Sequence, residues 1–375
     1  MDSSHSKQIE RLKTPPTLDE FLEKYMTPGV PVIIEGGFSH WNAMHWTLES
    51  LRERVGETTV HVRKNTQCDD YRLGRKYEVV QMQFKTYVNR ILAHDPDRRR
   101  AKGDQCKANG ALATPSERKS SQDSINNFYL AVQNVKHIFP DLESDISPLP
   151  EYIGKLHMGP FMWIAPDEHY EYTHFDPDDG MLCLISGEKT VRLYHWNYLE
   201  HLYPNPLGSK GRTIQATVNI DSPDLKAHPL FSQAVCEYGT LTDGDMLFIP
   251  AFYWHQVSSA PKTISINAFY GDKGDTAFSS KVFEHRWNAV MYWILNIVEQ
   301  NRGMESFAQV LANLEVALKE FFFKQWHEKL SEEVAQRMAS RILEYCGWKD
   351  GTRPHYEGHV KKHLQLKIRG LRWRD

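Results

Sequence analysis

The residues best suited to chemistry in this chain are His174 and Asp176, in Tyr172-Thr173-His174-Phe175-Asp176-Pro177, and His255, at the end of the run from Gly244 to His255. On an extended strand, residues two apart project from the same face, so His174 and Asp176 converge on one point. An imidazole and a carboxylate so placed are two donors of a facial triad, and a histidine from a distant strand can complete it. Two histidines and one carboxylate fill one face of an octahedron and leave the other open, which is how non-haem iron(II) sites admit substrate groups and oxygen. The candidate third ligand is His255: a turn launches an apolar strand, Pro250 breaks it, and Phe252, Tyr253 and Trp254 precede the histidine. A His-x-Asp pair recurs by chance and the chain holds 18 histidines. The assignment therefore leans on the strand-rich setting of both segments.

That setting spans Asn127 to Asp272. Phe128–Val132 leads in, followed by short apolar runs at Phe161–Ile164, Met181–Ile185, Thr190–Tyr194, Met246–Ile249 and Thr263–Tyr270. Turn signals such as Pro166-Asp167, Ser186-Gly187 and Asp243-Gly244 separate them. The stretch Leu184…Gly187…Val191 reads as two antiparallel strands around a tight turn. Many short strands without helix-length spacers predict a sandwich or barrel of jelly-roll type. Upstream, Thr17–Tyr25 has helical spacing with Thr17 as N-cap, Val30–Ile34 suits a strand, Trp46–Val55 a second helix and Thr58–Val62 a second strand. These elements alternate too briefly for a doubly wound parallel sheet.

Two regions differ in character. From Asp95 to Ser124 large apolar residues nearly vanish and Lys, Arg, Ser, Gly and Pro dominate, the composition of a solvated, disordered insert. After Asp275, apolar residues from Phe278 to Ile297 recur every three or four positions, and further stripes run through Phe307–Phe322 and Val334–Ile342. The expected organisation is α/β elements over 1–94, a polar insert over 95–124, a jelly-roll core over 125–272 and a helical region over 273–375. The large aromatics Trp287, Trp293, Phe321, Phe322, Phe323 and Trp326 exceed what an appendage needs; packing onto the barrel and pairing of two chains are both open to them.

Bulk properties narrow the field. The chain has 375 residues and a formal net charge of −3, so no bulk attraction draws it to nucleic acid or anionic membrane. The basic stretches at 98–119 and 361–374 could still make a local patch. Five scattered cysteines, never arranged as Cys-x-x-Cys, fit a reduced cytoplasmic or nuclear protein better than a disulfide framework or a thiolate zinc site. No apolar stretch is long enough to span a bilayer, and the polar N-terminus lacks the core of a signal peptide.

Several ordered motifs, THFD, ISGEKTVRLYHW, LYPNP, NIDSPDLKAHPLFSQA, GDMLFIPAFYWHQV and SINAFY, together resemble the JmjC-type cupin-fold 2-oxoglutarate oxygenases. The nearest likeness is to their small hydroxylase branch, which includes the factor-inhibiting-HIF asparaginyl hydroxylase, JmjC-only relatives and the tRNA wybutosine hydroxylase. The similarity runs from about Thr17 to Asp272. It implies a mainly β double-stranded β-helix (jelly roll) with N-terminal α/β elements and a C-terminal helical region. It also implies Fe(II), 2-oxoglutarate as co-substrate and O2.

Residue by residue, the resemblance sets His174, Asp176 and His255 on the iron ligands. Lys189 falls on the lysine that pairs with the distal carboxylate of 2-oxoglutarate; taken alone, after Ser186-Gly187-Glu188, it reads sooner as an exposed hairpin lysine. Tyr129 falls on a tyrosine that reaches the co-substrate, and is otherwise a core aromatic. Asn267 falls on a polar residue near the co-substrate, and is otherwise a strand-end asparagine. Two positions depart from the family pattern. Glu171 stands where a serine or threonine would hydrogen-bond the co-substrate, unless a different register offers Thr173, and Gly180 stands where the branch commonly has asparagine. An unshielded Glu171 carboxylate would repel a dianion. The expected function is hydroxylation of a protein side chain, with a protein or peptide as partner. The alternatives are an RNA hydroxylase, a lysine demethylase and a non-catalytic cupin scaffold. The resemblance also implies a homodimer formed through the C-terminal helices.

Overall fold

The computed structural model describes residues 6–74, 77–94, 125–153, 156–205 and 213–270, with scattered positions between 286 and 336. The chain enters through β1 (Ser6–Gln8) and β2 (Glu10–Leu12), then α1 (Leu18–Phe21), β3 (Val32–Glu35), α2 (Leu48–Val55) and β4 (Thr59–Lys64). Next come α3 (Asp69–Arg72), β5 (Glu78–Gln83), α4 (Phe84–Leu92), β6 (Phe128–Asn134) and β7 (Leu156–Ala165). The remaining strands are β8 (His169–Phe175), β9 (Asp179–Ser186), β10 (Lys189–Tyr194), β11 (Ile214–Gln215), β12 (Cys236–Leu241), β13 (Asp245–Ile249), β14 (Trp254–Ser259) and β15 (Thr263–Tyr270).

Local chemistry sets the early elements. Thr17 and Thr47 each begin a helix with a reciprocal capping box: the Thr47 hydroxyl accepts from the Ser50 amide at 3.1 Å while the Ser50 hydroxyl accepts from the Thr47 amide at 3.0 Å. In α4, Phe84, Tyr87, Val88 and Ile91 fall on one helical face and are buried.

The strands form two sheets, a large one in the order β2-β3-β13-β9-β15-β7-β6-β4-β5 and a small one in the order β1-β12-β10-β14-β8-β11. Side chains of the large sheet alternate between two cores, as a strand's period of two requires. Val62, Leu130, Ile164, Cys183, Phe248 and Ile266 join the core beneath α2 and α4. Leu182, Leu184, Leu247 and Ile249 pack instead toward Val191 and Leu193 of the small sheet. This two-sheet sandwich is the jelly roll anticipated from the spacing of short strands.

One expectation is corrected. The runs on either side of Gly187 are not a paired hairpin: β9 lies in the large sheet and β10 in the small one, so the turn carries the chain from one sheet to the other. Gly187 suits that corner, since its φ is +100° and a Cβ there would stand 2.6 Å from the Thr263 hydroxyl. The expected polar insert 95–124 and most of the expected helical region 273–375, on which the expected pairing of two chains rests, lie outside the described residues. Arg286, Ala289, Tyr292, Trp293 and Asn296, which are described, are helical. Among the described residues no helix is long and apolar enough to cross a membrane, and Cys68, Cys183 and Cys236 are free thiols.

Candidate metal centre and the interior beside it

The interior face of the small sheet presents side chains in rows across β10, β14 and β8. Pairing registers Lys189 with Ser259 and Ser259 with His169; Val191 with Val257 and Val257 with Glu171; and Leu193 with His255 and His255 with His174. Between the second and third rows β8 carries one extra residue, a bulge. The bulge lets Glu171 and His174, three residues apart, face the same side, which plain alternation forbids. Asp176 follows directly on the end of β8.

These elements bring His174, Asp176 and His255 together, with donor atoms within 4.8 Å of one another. His174 Nε2 lies 3.8 Å and His255 Nε2 lies 3.7 Å from Asp176 Oδ2, too far for hydrogen bonds. Donors about 2.1 Å from a common ion stand roughly 3–4 Å apart, the spacing found here. Each imidazole is oriented from behind. His174 Nδ1–H donates to the Tyr172 carbonyl at 2.8 Å and His255 Nδ1–H to the Tyr253 carbonyl at 3.0 Å. A carbonyl only accepts, so each Nδ1 carries the proton and each Nε2 turns a lone pair into the triad. Burial, with His174 nearby, lowers His255 to about 4, and burial lowers His174 as well. Burial raises Asp176 to about 6 against the pull of His255. Neutral imidazoles and a carboxylate short of countercharge are a donor set suited to a divalent transition ion.

Asp176 and His255 are fixed to each other through the turn between β13 and β14. The Phe252 amide donates to the Asp176 carbonyl at 2.7 Å and the Ala251 amide to Asp179 Oδ1 at 2.8 Å. Phe252 adopts φ +64°, a costly conformation for an aromatic residue and one found where surrounding structure enforces it. From the C-terminal region, buried Arg286 donates to the Ala251 carbonyl at 3.2 Å. Phe175, Phe252 and Trp254 are all buried, and the Phe175 and Trp254 rings pack edge to face, centroids 4.8 Å apart, on the side of the sheet opposite the triad.

The remaining expected site residues lie along the same interior. Lys189 is 2% exposed, not the solvent-facing hairpin lysine its sequence setting allows, and its Nζ donates to Ser259 Oγ at 2.7 Å. Burial lowers its ammonium to about 8, against the stabilising field of Glu171. Tyr129 is buried on β6, its ring stacked on His169 at 3.5 Å and tilted toward Trp163. Asn267 stands on the face of β15 opposite the Ile266–Ala268 core, and its buried Oδ1 has no protein partner. His169 Nδ1 and Trp163 Nε1 are likewise buried without a partner, polar atoms that an interior ligand could satisfy.

Glu171 is not unshielded. Arg63 Nη1 lies 2.9 Å from Glu171 Oε1, the Tyr71 hydroxyl donates to Oε2 at 2.8 Å, and His169 Nε2 lies 3.3 Å from Oε2. Burial alone would push this carboxyl up, but Arg63 and His169 hold it well below the usual range. Thr173, next to His174 on β8, falls on the opposite face of the strand from the triad. At Gly180 a Cβ would meet only ordinary contacts, with Ile249 and the Phe269 ring at 3.8 Å. Sequence reasoning missed Arg63, Tyr71 and His169. The one available signal was alternation: Val60 and Val62 face a core, so Arg63 must face the other side.

A family model described as a cupin-like domain matches residues 18–276. Lysine-specific demethylase 8 of Xenopus tropicalis is 26% identical over 261 residues, 68% of this chain and 51% of that protein. JmjC domain-containing protein D of Dictyostelium discoideum is 27% identical over 280 residues, 69% of this chain and 56% of that protein. The tRNA wybutosine-synthesizing protein 5 of Homo sapiens is 27% identical over 280 residues, 70% of this chain and 82% of that protein. The match thus spans little more than half the length of the first two relatives.

Proposed function

The chain belongs to the cupin-like domain family in its JmjC form, and from that premise we propose that it is an iron(II)- and 2-oxoglutarate-dependent oxygenase that hydroxylates a protein side chain. The observation that carries this reading is the convergence of three donors that do not bond one another, with both histidine Nδ1 atoms tied to carbonyls. His174, Asp176 and His255 hold the metal through Nε2, a carboxylate oxygen and Nε2. Lys189 meets the distal carboxylate of the co-substrate, and Tyr129 and Asn267 flank it. Iron(II), 2-oxoglutarate and O2 together supply the power to place one oxygen atom in a C–H bond, leaving succinate and carbon dioxide.

The chain's own share is geometry and solvent exclusion. The backbone carbonyls of Tyr172 and Tyr253 fix the two rings, and the Asp176–Phe252 link sets the carboxylate against them. Lys189, His169 and Tyr129 are buried beside the triad, which strengthens each charge interaction inside. Lys189 orients a dianion as a fixed cation in a low-dielectric interior. The test is succinate formation from 2-oxoglutarate with added iron(II), screened over candidate peptides. Wild-type turnover coupled to one peptide, lost in His174→Ala, is expected. A protein that takes up metal and 2-oxoglutarate yet never couples turnover to hydroxylation of any peptide would count against it.

A second reading, hydroxylation of RNA, draws on one observation. The aligned segment reaches across 82% of the human wybutosine-synthesizing protein, against 51% of demethylase 8. Including tRNA in the screen separates the two, and binding of RNA should weaken steeply with salt. The same screen exposes N-demethylation as formaldehyde release.

A further inference from the structure

We propose that Arg63 is a positioning residue of the co-substrate site: its guanidinium cancels the Glu171 carboxylate, so that the Lys189 charge survives uncancelled to meet the distal end of a dianionic 2-oxo acid. The inference rests on the reading of this interior as a 2-oxoglutarate site and assigns a role beyond it.

The rows of the small sheet set the problem. Glu171 stands in the row between the His255–His174 row and the row of Lys189 and Ser259. An acid that links the metal end to Lys189 must pass it. Left bare, a buried carboxylate there would cost a dianion about tenfold or more in affinity. The protein supplies a countercharge from a different sheet. Arg63 projects from β4 on the face opposite Val60 and Val62, and its Nη1 meets Glu171 Oε1 at 2.9 Å. The same Nη1 donates to the Tyr71 hydroxyl at 3.0 Å, and that hydroxyl donates onward to Glu171 Oε2 at 2.8 Å. The Tyr77 and Trp163 rings hold the guanidinium in place, at 4.8 and 5.6 Å from its carbon. Both carboxylate oxygens are therefore engaged by Arg63 and Tyr71, while the hydrogen bond of Lys189 goes to Ser259.

The charges sum simply: Arg63 and Lys189 contribute two positive charges and Glu171 one negative, which leaves one. The pair sits among His174, His169 and Lys189. All of these feel the Glu171 charge.

The experiment titrates 2-oxoglutarate calorimetrically into the full chain loaded with manganese(II), and measures manganese affinity in parallel. Arg63→Gln should weaken 2-oxoglutarate binding by about tenfold or more, with manganese affinity held. Arg63→Gln combined with Glu171→Gln restores the charge balance and should bring binding back to within about threefold of wild type. Glu171→Gln alone should bind as tightly as wild type or tighter. Rescue by the double variant is a readout that a merely structural pair would not give. Arg63→Gln binding within about twofold of wild type, or a double variant as weak as the single, overturns the proposal. If Arg63→Gln does not fold, Glu171→Gln decides: binding weaker than wild type overturns it, and binding as tight as wild type or tighter supports it. Wild-type protein that takes up manganese but no 2-oxoglutarate removes the functional reading and this inference with it. That outcome differs from failure of the Arg63 variants alone.

Discussion

The two ends of the interior handle buried polar groups in opposite ways. At the metal end, His174, Asp176 and His255 point at one another without bonding, and the hydrogen bonds of the two imidazoles run backward to carbonyls. At the other end, Arg63, Glu171, Tyr71 and His169 bond one another directly. The first arrangement is organised for something that all three donors share. The second is complete in itself and sets a charge rather than a ligand shell. Removing a member should therefore do different damage at each end: loss of an ion at one, loss of stability and charge balance at the other.

The largest effect belongs to the metal end. Asp176→Ala removes the one anionic donor and should bring manganese or iron uptake below detection in equilibrium dialysis. The fold should survive, because relieving a buried carboxyl of its desolvation cost offsets the packing lost. An Asp176→Ala protein with wild-type metal content would show that the three side chains do not act together.

At the other end the expected loss is in stability. Arg63 and Glu171 side chains are only 12% and 9% exposed, so Arg63→Met leaves a buried carboxylate without countercharge. Such a break costs about 3–5 kcal/mol, whereas replacing both partners by apolar residues of similar volume costs far less. Urea unfolding of Arg63→Met, and of Arg63→Met with Glu171→Leu, measures both. Equal destabilisation in the two would mean that packing, not charge, dominates this region.

The same contrast governs what could be read from sequence. His174 and Asp176 lie two apart, so their convergence follows from strand geometry alone, and His255 adds one distant strand. Glu171, by contrast, meets Arg63 from 108 positions away and Tyr71 from 100. Nothing local in Thr59–Lys64 says which strand β4 will neighbour. Alternation fixes the face that Arg63 occupies, but only topology fixes its partner. The bulge in β8 was equally hidden, so Glu171 could be placed in the site but its countercharge could not be found. The turn at Gly187 was misread for a related reason. A tight turn between two apolar runs looks the same whether it joins paired strands or carries the chain between sheets, as it does in a jelly roll.

Lys189, in the row beyond Glu171 from the metal end, adds a pH dependence. Burial lowers its ammonium to about 8. Below that pH it is charged and can meet a carboxylate; above it the folded protein loses the charge, although an unfolded lysine would keep it to about 10.4. Affinity for 2-oxoglutarate should thus be flat below pH 8 and fall by about tenfold per unit above it. Stability moves the other way, since between pH 8 and 10.4 the unfolded chain binds the additional proton and the Lys189 contribution to folding rises. Calorimetric titration from pH 6.5 to 9.5 checks the first claim. Lys189→Met should bind weakly with no such break; a break that persists in that variant would belong to another group.

The smallest effect separates hydrogen bonding from charge within the Glu171 network. Tyr71→Phe removes the hydroxyl that donates to Glu171 Oε2 and accepts from Arg63, and alters no charge. Hydrogen bonds to charged groups contribute about 1.5–3 kcal/mol, and the Arg63 contact and His169 retain part of that here. Unfolding should therefore show a loss near the lower end of that range. Co-substrate affinity should stay within about threefold of wild type, because one net positive charge remains. A tenfold loss of 2-oxoglutarate binding in Tyr71→Phe would mean that the placement of the Glu171 carboxylate matters as much as its neutralisation. The network would then be a shaped wall of the site as well as a balance of charge.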